Sequence, residues 1–310
     1  MKLTLFITPE PLGAARLQSA LEDKREALAR QGIAVSQALG KRNATRLWMA
    51  VTDPDSPDTL RYMRGFGAPD AQALLRNSVR HALAAERTRT TAGHLVLACA
   101  QLPGLTGPAD LDRLAEILEP LEAGEIRVVL HVEEQSRTLV RAYAAQVLDG
   151  RQAGLEQELA LAAGPDWFAG ALAMRGASEP QLNRFSELHA PAHWLDWSAL
   201  VSLWEARFGA GSMVLRSFDP TLFASPRITR EVEAMLGAER LGRTGAEDAA
   251  ALPSDESLTR ARELNTLFEK ALETGRLIPR PLWRRLLAEV AVPGPAPEPG
   301  ALSPVSRHFS

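Results

Sequence analysis

The sequence predicts an α/β fold: a parallel sheet with helices on both faces, followed by a helical C-terminal part. Four short apolar runs, rich in Val and Leu, are continuous rather than alternating, which is typical of parallel strands buried on both sides. These runs cover residues 3–8, 94–100, 126–132 and 212–217. Helical patterns separate them, and strands that alternate with helices predict a parallel sheet.

The helices among the strands are predicted from apolar residues that recur at helical spacing. In chain order, their apolar faces carry Leu17, Leu21 and Leu28; Leu75, Val79 and Leu83; Leu111, Leu114, Leu118 and Leu121; Leu139, Val140, Tyr143 and Val147; and Leu200, Leu203, Trp204 and Phe208. Gly32, Gly150 and Gly209 each follow one of these patterns, and a glycine in that position commonly ends a helix.

The chain after the fourth run is predicted to be mainly helical. Ser225 followed by Pro226 is a helix-start signal, with Ser as N-cap and Pro at the first helical position. Gly237 closes that helix. The remaining predicted elements are a loop over residues 242–253, a long helix over 255–273 and a shorter one over 281–290.

Two stretches rich in proline or glycine are predicted to lie outside the helices and strands. Residues 53–69 are interpreted as a surface excursion. Residues 293–310 contain prolines at 293, 295, 297, 299 and 304, which favours a disordered tail that packs as neither helix nor strand. We therefore expect one domain over residues 1–292 and a tail over residues 293–310.

Composition indicates a soluble, cytoplasmic, globular protein. The chain has 310 residues, 45% of them hydrophobic, and a formal net charge of −3, so bulk charge does not favour nucleic acid. Cys99 is the single cysteine, which excludes an intramolecular disulfide and a thiolate metal cluster. No signal-peptide pattern follows Met1, and no stretch is apolar enough for a membrane span.

The first strand-to-helix turn lies where an α/β protein would hold a phosphate, yet its chemistry is wrong for that task. A phosphate loop needs free backbone N–H groups, a helix N-terminus and usually a lysine. Here Pro9 and Pro11 each lack an N–H, and Glu10 places a negative charge where an anion should lie. Gly13 marks the join to the helix.

Several segments, in order and spacing, resemble one family of bacterial sulfotransferase-like proteins with a P-loop-type α/β fold. The family's first turn reads H-I-G-x-H-K-T-G-T-T-x-L-Q, and Ile7, Gly13, Leu17 and Gln18 keep that frame. Asn43, after Gly40, matches a family asparagine, while Ala44 stands in place of the usual histidine. The other matching segments are residues 25–33, 127–135, 195–209 and 256–258. The resemblance covers most of residues 3–268.

The resemblance implies transfer of a sulfuryl group from 3′-phosphoadenosine 5′-phosphosulfate (PAPS) to a hydroxyl or amine. Such an enzyme needs a cationic, N–H-rich loop on the phosphosulfate, an arginine and a serine on the 3′-phosphate, and a base for the acceptor. The family's loop lysine is Pro11 here, its histidine is Glu10, and its paired threonines are Ala14 and Ala15.

The other two requirements also fail at the matching positions. The arginine pair after the third strand is Glu133–Glu134, and the later serine is Arg141. The candidate base carboxylate after the second strand is Ala100. The resemblance thus places a degenerate cofactor site at Pro9, Glu10, Pro11, Leu12, Gly13, Ala14, Ala15, Glu133 and Arg141.

Three functions remain open at this point. The first is a sulfotransferase-fold protein that has lost standard PAPS chemistry and binds, regulates or scaffolds; no cofactor is then expected. The second is an active enzyme that sulfates a carbohydrate or related acceptor through a remodelled anion site, with cations from Arg16, Arg137 and Arg141. The third is an interaction protein whose helical C-terminal half and tail dock a protein partner. The catalytic residues are not identified by the sequence.

Individual polar residues have simpler interpretations that we weigh beside the functional ones. Glu10 is expected as an exposed turn carboxylate at a helix N-terminus, or as a plug that mimics the lost phosphate. The pair Glu133–Glu134 is expected to be a solvated strand end or the start of a capping arrangement with Ser136, and a metal or acid/base role together with Glu10 is the functional alternative. Cys99 and His131 are expected to be buried and inert. His189 and His193 have helix-like ligand spacing, but Pro191 between them disfavours that geometry, so no metal site is expected.

Overall fold

The computed structural model describes residues 1–246 and 251–310. Its described residues form one five-stranded, fully parallel sheet with the order β2-β3-β1-β4-β5. The strands are β1 (Lys2–Phe6), β2 (Ile33–Val35), β3 (His94–Ala98), β4 (Glu125–Val132) and β5 (Met213–Ser217). In the register of the central strand, Leu3 of β1 lies between Leu95 of β3 and Ile126 of β4. The α/β prediction is confirmed.

Most of the remaining described residues lie in helices. The α-helices are α1 (Ala14–Asp23), α2 (Arg25–Ala29), α3 (Thr45–Val51), α4 (Thr59–Met63), α5 (Pro69–Arg89), α6 (Pro108–Leu118), α7 (Gln135–Asp149), α8 (Glu156–Ala162), α9 (Trp167–Ala173), α10 (Ser186–His189), α11 (Trp197–Phe208), α12 (Pro220–Ala224), α13 (Thr229–Leu236), α14 (Asp255–Glu273), α15 (Arg280–Glu289) and α16 (Ser303–His308). Single turns of 3₁₀ helix cover Glu10–Leu12, Leu102–Gly104, Glu119–Leu121, Pro180–Leu182, His193–Leu195 and Pro299–Leu302.

The chain divides into two compact units. The described part of unit 1 comprises residues 1–55, 64–133 and 197–246, and that of unit 2 comprises residues 56–63, 134–196 and 251–310. Unit 1 contains the sheet, and unit 2 is helical. The division into a domain over residues 1–292 and a tail stays a prediction.

The sheet of unit 1 is buried on both faces at its centre. In β1, the consecutive residues Leu3, Thr4 and Leu5 are all inaccessible or nearly so, although neighbouring side chains point to opposite faces. Both faces must therefore be covered, as the continuous apolar run predicts. The edge strand β5 differs, because burial alternates along it and Leu215 is 44% exposed.

Unit 2 has its own core between α7, α14 and α15. Tyr143, Val147, Phe268 and Trp283 belong to this cluster. Asn265 is fully buried among them and donates its amide to the carbonyls of Val147 and Arg151, and it accepts the Trp283 indole N–H. A buried polar group is stable only when paired in this way.

Three local expectations are corrected by the structure. The strand β2 is absent from the prediction because a run of three residues is too short to stand out from the flanking sequence. The helix predicted at Pro226 begins at Thr229, since Ser225 instead ends α12, with its hydroxyl donating to the Leu222 carbonyl. The excursion over residues 53–69 contains α4, whose Arg61 is fully buried.

The expectation that residues 293–310 pack as neither helix nor strand is also wrong. This segment contains the helix α16, in which Val305 is fully buried. The ring of Phe309 lies 5.3 Å from that of Trp167, so apolar residues beyond the prolines pack within unit 2. Burial of such side chains outweighs the low helix content that the prolines suggest.

Candidate functional site

The candidate site is the turn between β1 and α1 in unit 1. After Phe6 the chain extends to Pro9, forms a 3₁₀ turn over Glu10–Leu12, and enters α1 through Gly13, which has a left-handed backbone (φ 79°). The Leu12 N–H donates to the Pro9 carbonyl (2.9 Å), and the Gly13 N–H donates to the Glu10 carbonyl (3.0 Å). Both amides are therefore used inside the turn.

The carboxylate of Glu10 folds back on the helix that follows it. Its Oε2 accepts the N–H of Ala15 at 3.3 Å, in the first turn of α1. Partial desolvation raises the pKa of Glu10, and the hydrogen bond from Ala15 opposes that rise. The residue as a whole stays exposed, as expected for a turn carboxylate. The same contact places a negative group at the helix N-terminus, where the plug interpretation requires it.

Two phenylalanines cover Gly13 from the segment that follows β5. A Cβ atom at Gly13 would lie 2.6 Å from Phe223 Cδ1 and 3.0 Å from Phe218 Cε2, so the rings rest against the glycine backbone. The two rings make an edge-to-face contact at 4.8 Å, a favourable aromatic geometry, and both side chains are buried. An apolar surface thus occupies the space beside the turn.

Arg16, which sequence alone offers as a replacement cation, has another role. Its Nε donates to the carbonyl of Phe223 (2.9 Å), and its Nη2 donates to the carbonyls of Ser225 (3.1 Å) and Gly245. The residue is 8% exposed. Its guanidinium ties α1 to the segment after β5, because main-chain carbonyls of that segment accept its donors.

A buried network of hydrogen-bonded polar side chains lies next to the turn, where β1, β4 and β5 end. Thr8 Oγ1 lies 2.6 Å from His131 Nδ1, and His131 Nε2 lies 3.2 Å from Glu231 Oε1. Arg216 completes this network with a bidentate ion pair to Glu231 (2.6 and 2.9 Å). Imidazole nitrogens can donate or accept, so His131 bridges the Thr8 hydroxyl and the Glu231 carboxylate.

Electrostatics around Glu231 favour its charged form. Burial by itself raises the pKa of this carboxyl, but the hydrogen bonds from His131 and Arg216 outweigh burial and lower the pKa to about 2. A hydroxyl, an imidazole and a carboxylate in this order resemble an activated nucleophile. However, His131 is 0% exposed and the Phe223 ring packs edge-on against it at 5.0 Å. This network therefore stabilises the core, and His131 is a buried core residue, as predicted.

The remaining predicted cofactor positions do not all belong to the unit that holds the turn. Glu133 follows β4 in unit 1, whereas Arg141 lies in α7 of unit 2. Glu134 caps α7: its carboxylate accepts the N–H groups of Ser136 (3.1 Å) and Arg137 (3.0 Å). Of the interpretations given for the Glu133–Glu134 pair, the structure therefore shows the capping arrangement with Ser136.

Ala100, at the position of the missing base carboxylate, is buried, and the two amide side chains beside it, Asn43 and Gln101, are half-buried and neutral. The Ala100 N–H donates to Asn43 Oδ1 (3.2 Å), and the Asn43 amide donates to Gln101 Oε1 (3.1 Å). Burial raises the pKa of Cys99 to about 12, so the thiol is protonated and unreactive, as predicted. Asn43, in the loop between β2 and α3, is therefore hydrogen-bonded to the residues that follow β3.

Candidate metal ligands do not converge in the part of the chain that the structure describes. No group of three or more His, Cys, Asp or Glu side chains there is placed to hold a metal ion. His189 ends α10 and His193 begins a separate 3₁₀ turn, since Ala190 between them is extended. No helix among the described residues is long and apolar enough to cross a membrane.

Sequence reasoning missed the residues that close the turn from the other side. Phe218, Phe223 and Glu231 lie roughly two hundred residues after Gly13, and no local pattern connects them to it. The one available signal is the FDPTLF stretch directly after the fourth predicted strand, since loops at the carboxyl ends of parallel strands share one edge of the sheet.

Comparison with known proteins gives a single distant similarity to report. No family model and no curated protein matches the sequence. Among solved structures, a sulfotransferase from Alicyclobacillus acidocaldarius is similar to this chain at 15% identity and a TM-score of 0.43, over 91% of this chain and 98% of that one. A TM-score this low does not establish a shared fold, so the α/β class rests on the strand order and register above.

Proposed function

We propose that the chain is a sulfotransferase-like protein that has lost PAPS-dependent catalysis and acts in the cytoplasm as a binding or regulatory protein. The observation that carries the proposal is the contact of the Glu10 carboxylate with the Ala15 N–H at the start of α1. In a working phosphate loop that N-terminal position faces the ligand's anionic group. Here an acidic side chain of the protein occupies it.

The charge of Glu10 makes binding of a second anion at the turn unfavourable. Two like charges about 4 Å apart repel by roughly 4 kcal/mol at an effective dielectric constant near 20, which corresponds to about three powers of ten in affinity. The missing N–H groups of Pro9 and Pro11 remove donors that would offset this repulsion.

The alternative of an active enzyme with a remodelled anion site loses its nearest replacement cation. Arg16 donates to three main-chain carbonyls and is buried. To bind a phosphosulfate, its guanidinium would have to leave these acceptors without partners, which is costly for buried polar groups. We therefore favour a role without PAPS, with a protein or carbohydrate partner and without nucleic acid.

Calorimetric titration with adenosine 3′,5′-bisphosphate, the product form of the cofactor, tests the proposal. We expect no binding at the turn up to millimolar ligand. The variant Ala15→Asp adds a second acid at an exposed position of the same turn and serves as the site-specific reporter. Micromolar binding that Ala15→Asp abolishes would contradict the proposal, whereas binding that Ala15→Asp leaves unchanged would lie elsewhere on the protein.

A transfer assay separates loss of the cofactor from loss of an acceptor. Incubation with labelled PAPS and a panel of carbohydrates is expected to give no labelled product and no PAPS hydrolysis above background. Turnover that depends on Glu10 or Arg16 would show that the site is remodelled rather than closed.

A further inference from the structure

Four arginines of unit 1 line two adjoining cavities after β5. Arg227, Arg230 and Arg243 border both cavities, and Arg240 borders the second. The cavities have volumes of about 380 and about 370 Å³. Cavities of this size are in the range of small-molecule sites. We call this region, defined by the four arginines, the arginine concavity.

Within the described residues, the guanidinium groups of the arginine concavity have no acceptor. All four residues are exposed, and within residues 1–246 and 251–310 none of their side chains forms an ion pair or a hydrogen bond. Arg216 of the same unit, in contrast, pairs with Glu231. Four unpaired positive charges around one concave surface repel one another, and an anion between them would relieve that repulsion.

Two carboxylates on the cavity walls are engaged with the backbone instead. Asp219 accepts the N–H groups of Thr221 (2.8 Å) and Leu222 (3.1 Å), where it caps α12. Glu233 accepts the N–H of Leu241 at 2.6 Å. Each of the two acids is thus hydrogen-bonded to the main chain, and Asp219 is a helix cap.

The segment that carries Arg240 and Arg243 is held in place by hydrogen bonds from three directions. Lys24 donates to the carbonyl of Arg243 (2.7 Å), the Thr244 N–H donates to the carbonyl of Pro226 (3.1 Å), and the Thr229 hydroxyl donates to the carbonyl of Gly242. Arg240 itself has a left-handed backbone (φ 50°), which is unfavourable for an arginine and persists only where surrounding contacts impose it. The backbone of the site is thus preorganised.

The chemistry of the walls selects the class of ligand. Guanidinium groups bind phosphate through paired N–H···O contacts. The lining contains no aromatic side chain among the described residues, so it offers no aromatic platform for a nucleobase. We propose that the arginine concavity binds a small, non-nucleotide ligand with two phosphate groups, such as a sugar bisphosphate. This site is separate from the closed turn and does not depend on the proposed function.

The test is calorimetric titration of the full chain at low salt with three probes: pyrophosphate, fructose 1,6-bisphosphate and adenosine 3′,5′-bisphosphate. We expect the sugar bisphosphate and pyrophosphate to bind, and the adenosine compound to bind no more tightly than the sugar. The double variant Arg230→Ala/Arg243→Ala should weaken binding by about tenfold or more, because it removes two charge-assisted contacts.

A matched control separates a site from general charge attraction. Arg30→Ala/Arg42→Ala removes the same charge from exposed positions of unit 1 outside the cavity lining, and it should change affinity by less than about twofold. Circular dichroism and thermal melting of both double variants would show that each is folded.

Three results would overturn the inference. The first is absence of binding of all three probes at about ten millimolar, far above the range of a specific site. The second is an equal loss of affinity in the two double variants. The third is tight binding of the adenosine compound alone, which would indicate recognition of the base.

Discussion

The closed turn and the arginine concavity lie in the same unit, and they use positive charge in opposite ways. At the turn, Arg16 is buried and donates to three carbonyls, so its charge holds two segments together. In the concavity, Arg230 and Arg243 are exposed and pair with no described side chain. The comparison teaches that the partners of an arginine, and not its presence near a loop, decide whether it can bind an anion.

One helix contributes to both regions. In α13, Glu231 faces inward to His131 and Arg216, while the preceding residue, Arg230, faces the cavities. Consecutive helical residues are separated by about 100° around the axis, so a single turn can serve a core and a surface. The buried pair fixes the helix that presents the exposed arginine.

The largest effect is expected from Gly13→Ala. The new methyl group would lie 2.6 Å from Phe223 Cδ1, and the backbone at this position has φ 79°, so steric overlap adds to conformational strain. We expect the free energy of unfolding to fall by about 3 kcal/mol, measured by urea denaturation.

A matched control is available at Gly32. Its backbone is also left-handed (φ 76°), but no heavy atom lies within 4 Å of an added Cβ. Gly32→Ala should therefore cost only the conformational strain, about 1 kcal/mol. Equal losses at the two glycines would show that the phenylalanines do not press on the turn.

The second effect concerns Glu231 and has a defined pH dependence. Its pKa in the folded protein is about 2, below the ordinary value of 4.5, so its contribution to stability is present above pH 4.5 and is lost as the pH falls towards 2. At pH 7, Glu231→Gln should lower the free energy of unfolding by about 2 kcal/mol.

Denaturation curves from pH 7 down to pH 2 check this sign. The difference between the wild type and Glu231→Gln should shrink as the pH approaches 2, because the native carboxyl then becomes protonated. Glu26→Gln, an exposed position in α2, is the control and should change stability by less than about 0.5 kcal/mol. A difference that is constant over the whole pH range would refute the charged pair.

A third, smaller effect is expected for Arg16→Lys. Lysine keeps the positive charge but cannot direct a fork of N–H donors at three carbonyls. We expect a loss of about 1.5 kcal/mol in unfolding free energy and faster hydrogen exchange in residues 223–245. Exchange that stays unchanged would indicate that the segment is held by other contacts.

The smallest effect is expected for Glu10→Gln. The residue is exposed and the hydrogen bond from Ala15 to its carboxylate is long, so stability should change by less than about 0.5 kcal/mol. Anion binding at the turn should not appear either, since Phe218 and Phe223 still cover Gly13. Sulfate-dependent shifts of the residue 9–15 amides in an NMR titration would show that charge alone closed the site.

Sequence predicted the chemistry of the turn because that chemistry is local. Proline lacks an N–H wherever it occurs, and Glu10 is acidic in any fold. The absence of these backbone donors can therefore be predicted without a structure. The parallel sheet can be predicted in the same way, since strands buried on both faces need continuous apolar runs. The edge strand β2 is not predicted, because a run of three residues is too short to show a hydrophobic pattern.

The rest of the site depends on contacts between residues far apart in the chain. Nothing in residues 9–15 indicates that two phenyl rings from residues 218 and 223 will rest on Gly13. The same limit explains Arg16, whose position one turn into a helix suggests a ligand-binding cation, although its acceptors lie more than two hundred residues away. Local signals also misled at Ser225, where a helix end resembles a helix start.

The ring of Phe223 against Gly13 bears on what the turn would need in order to hold an anion. For that, it would need a cation near residue 11 and, at the same time, a smaller side chain at residue 223. A cation introduced alone would face the apolar ring of Phe223. A smaller side chain introduced alone at residue 223 would leave a cavity beside His131. Neither change alone would therefore give an anion site, so the packing of residue 223, as well as the composition of the turn, sets what the turn can bind.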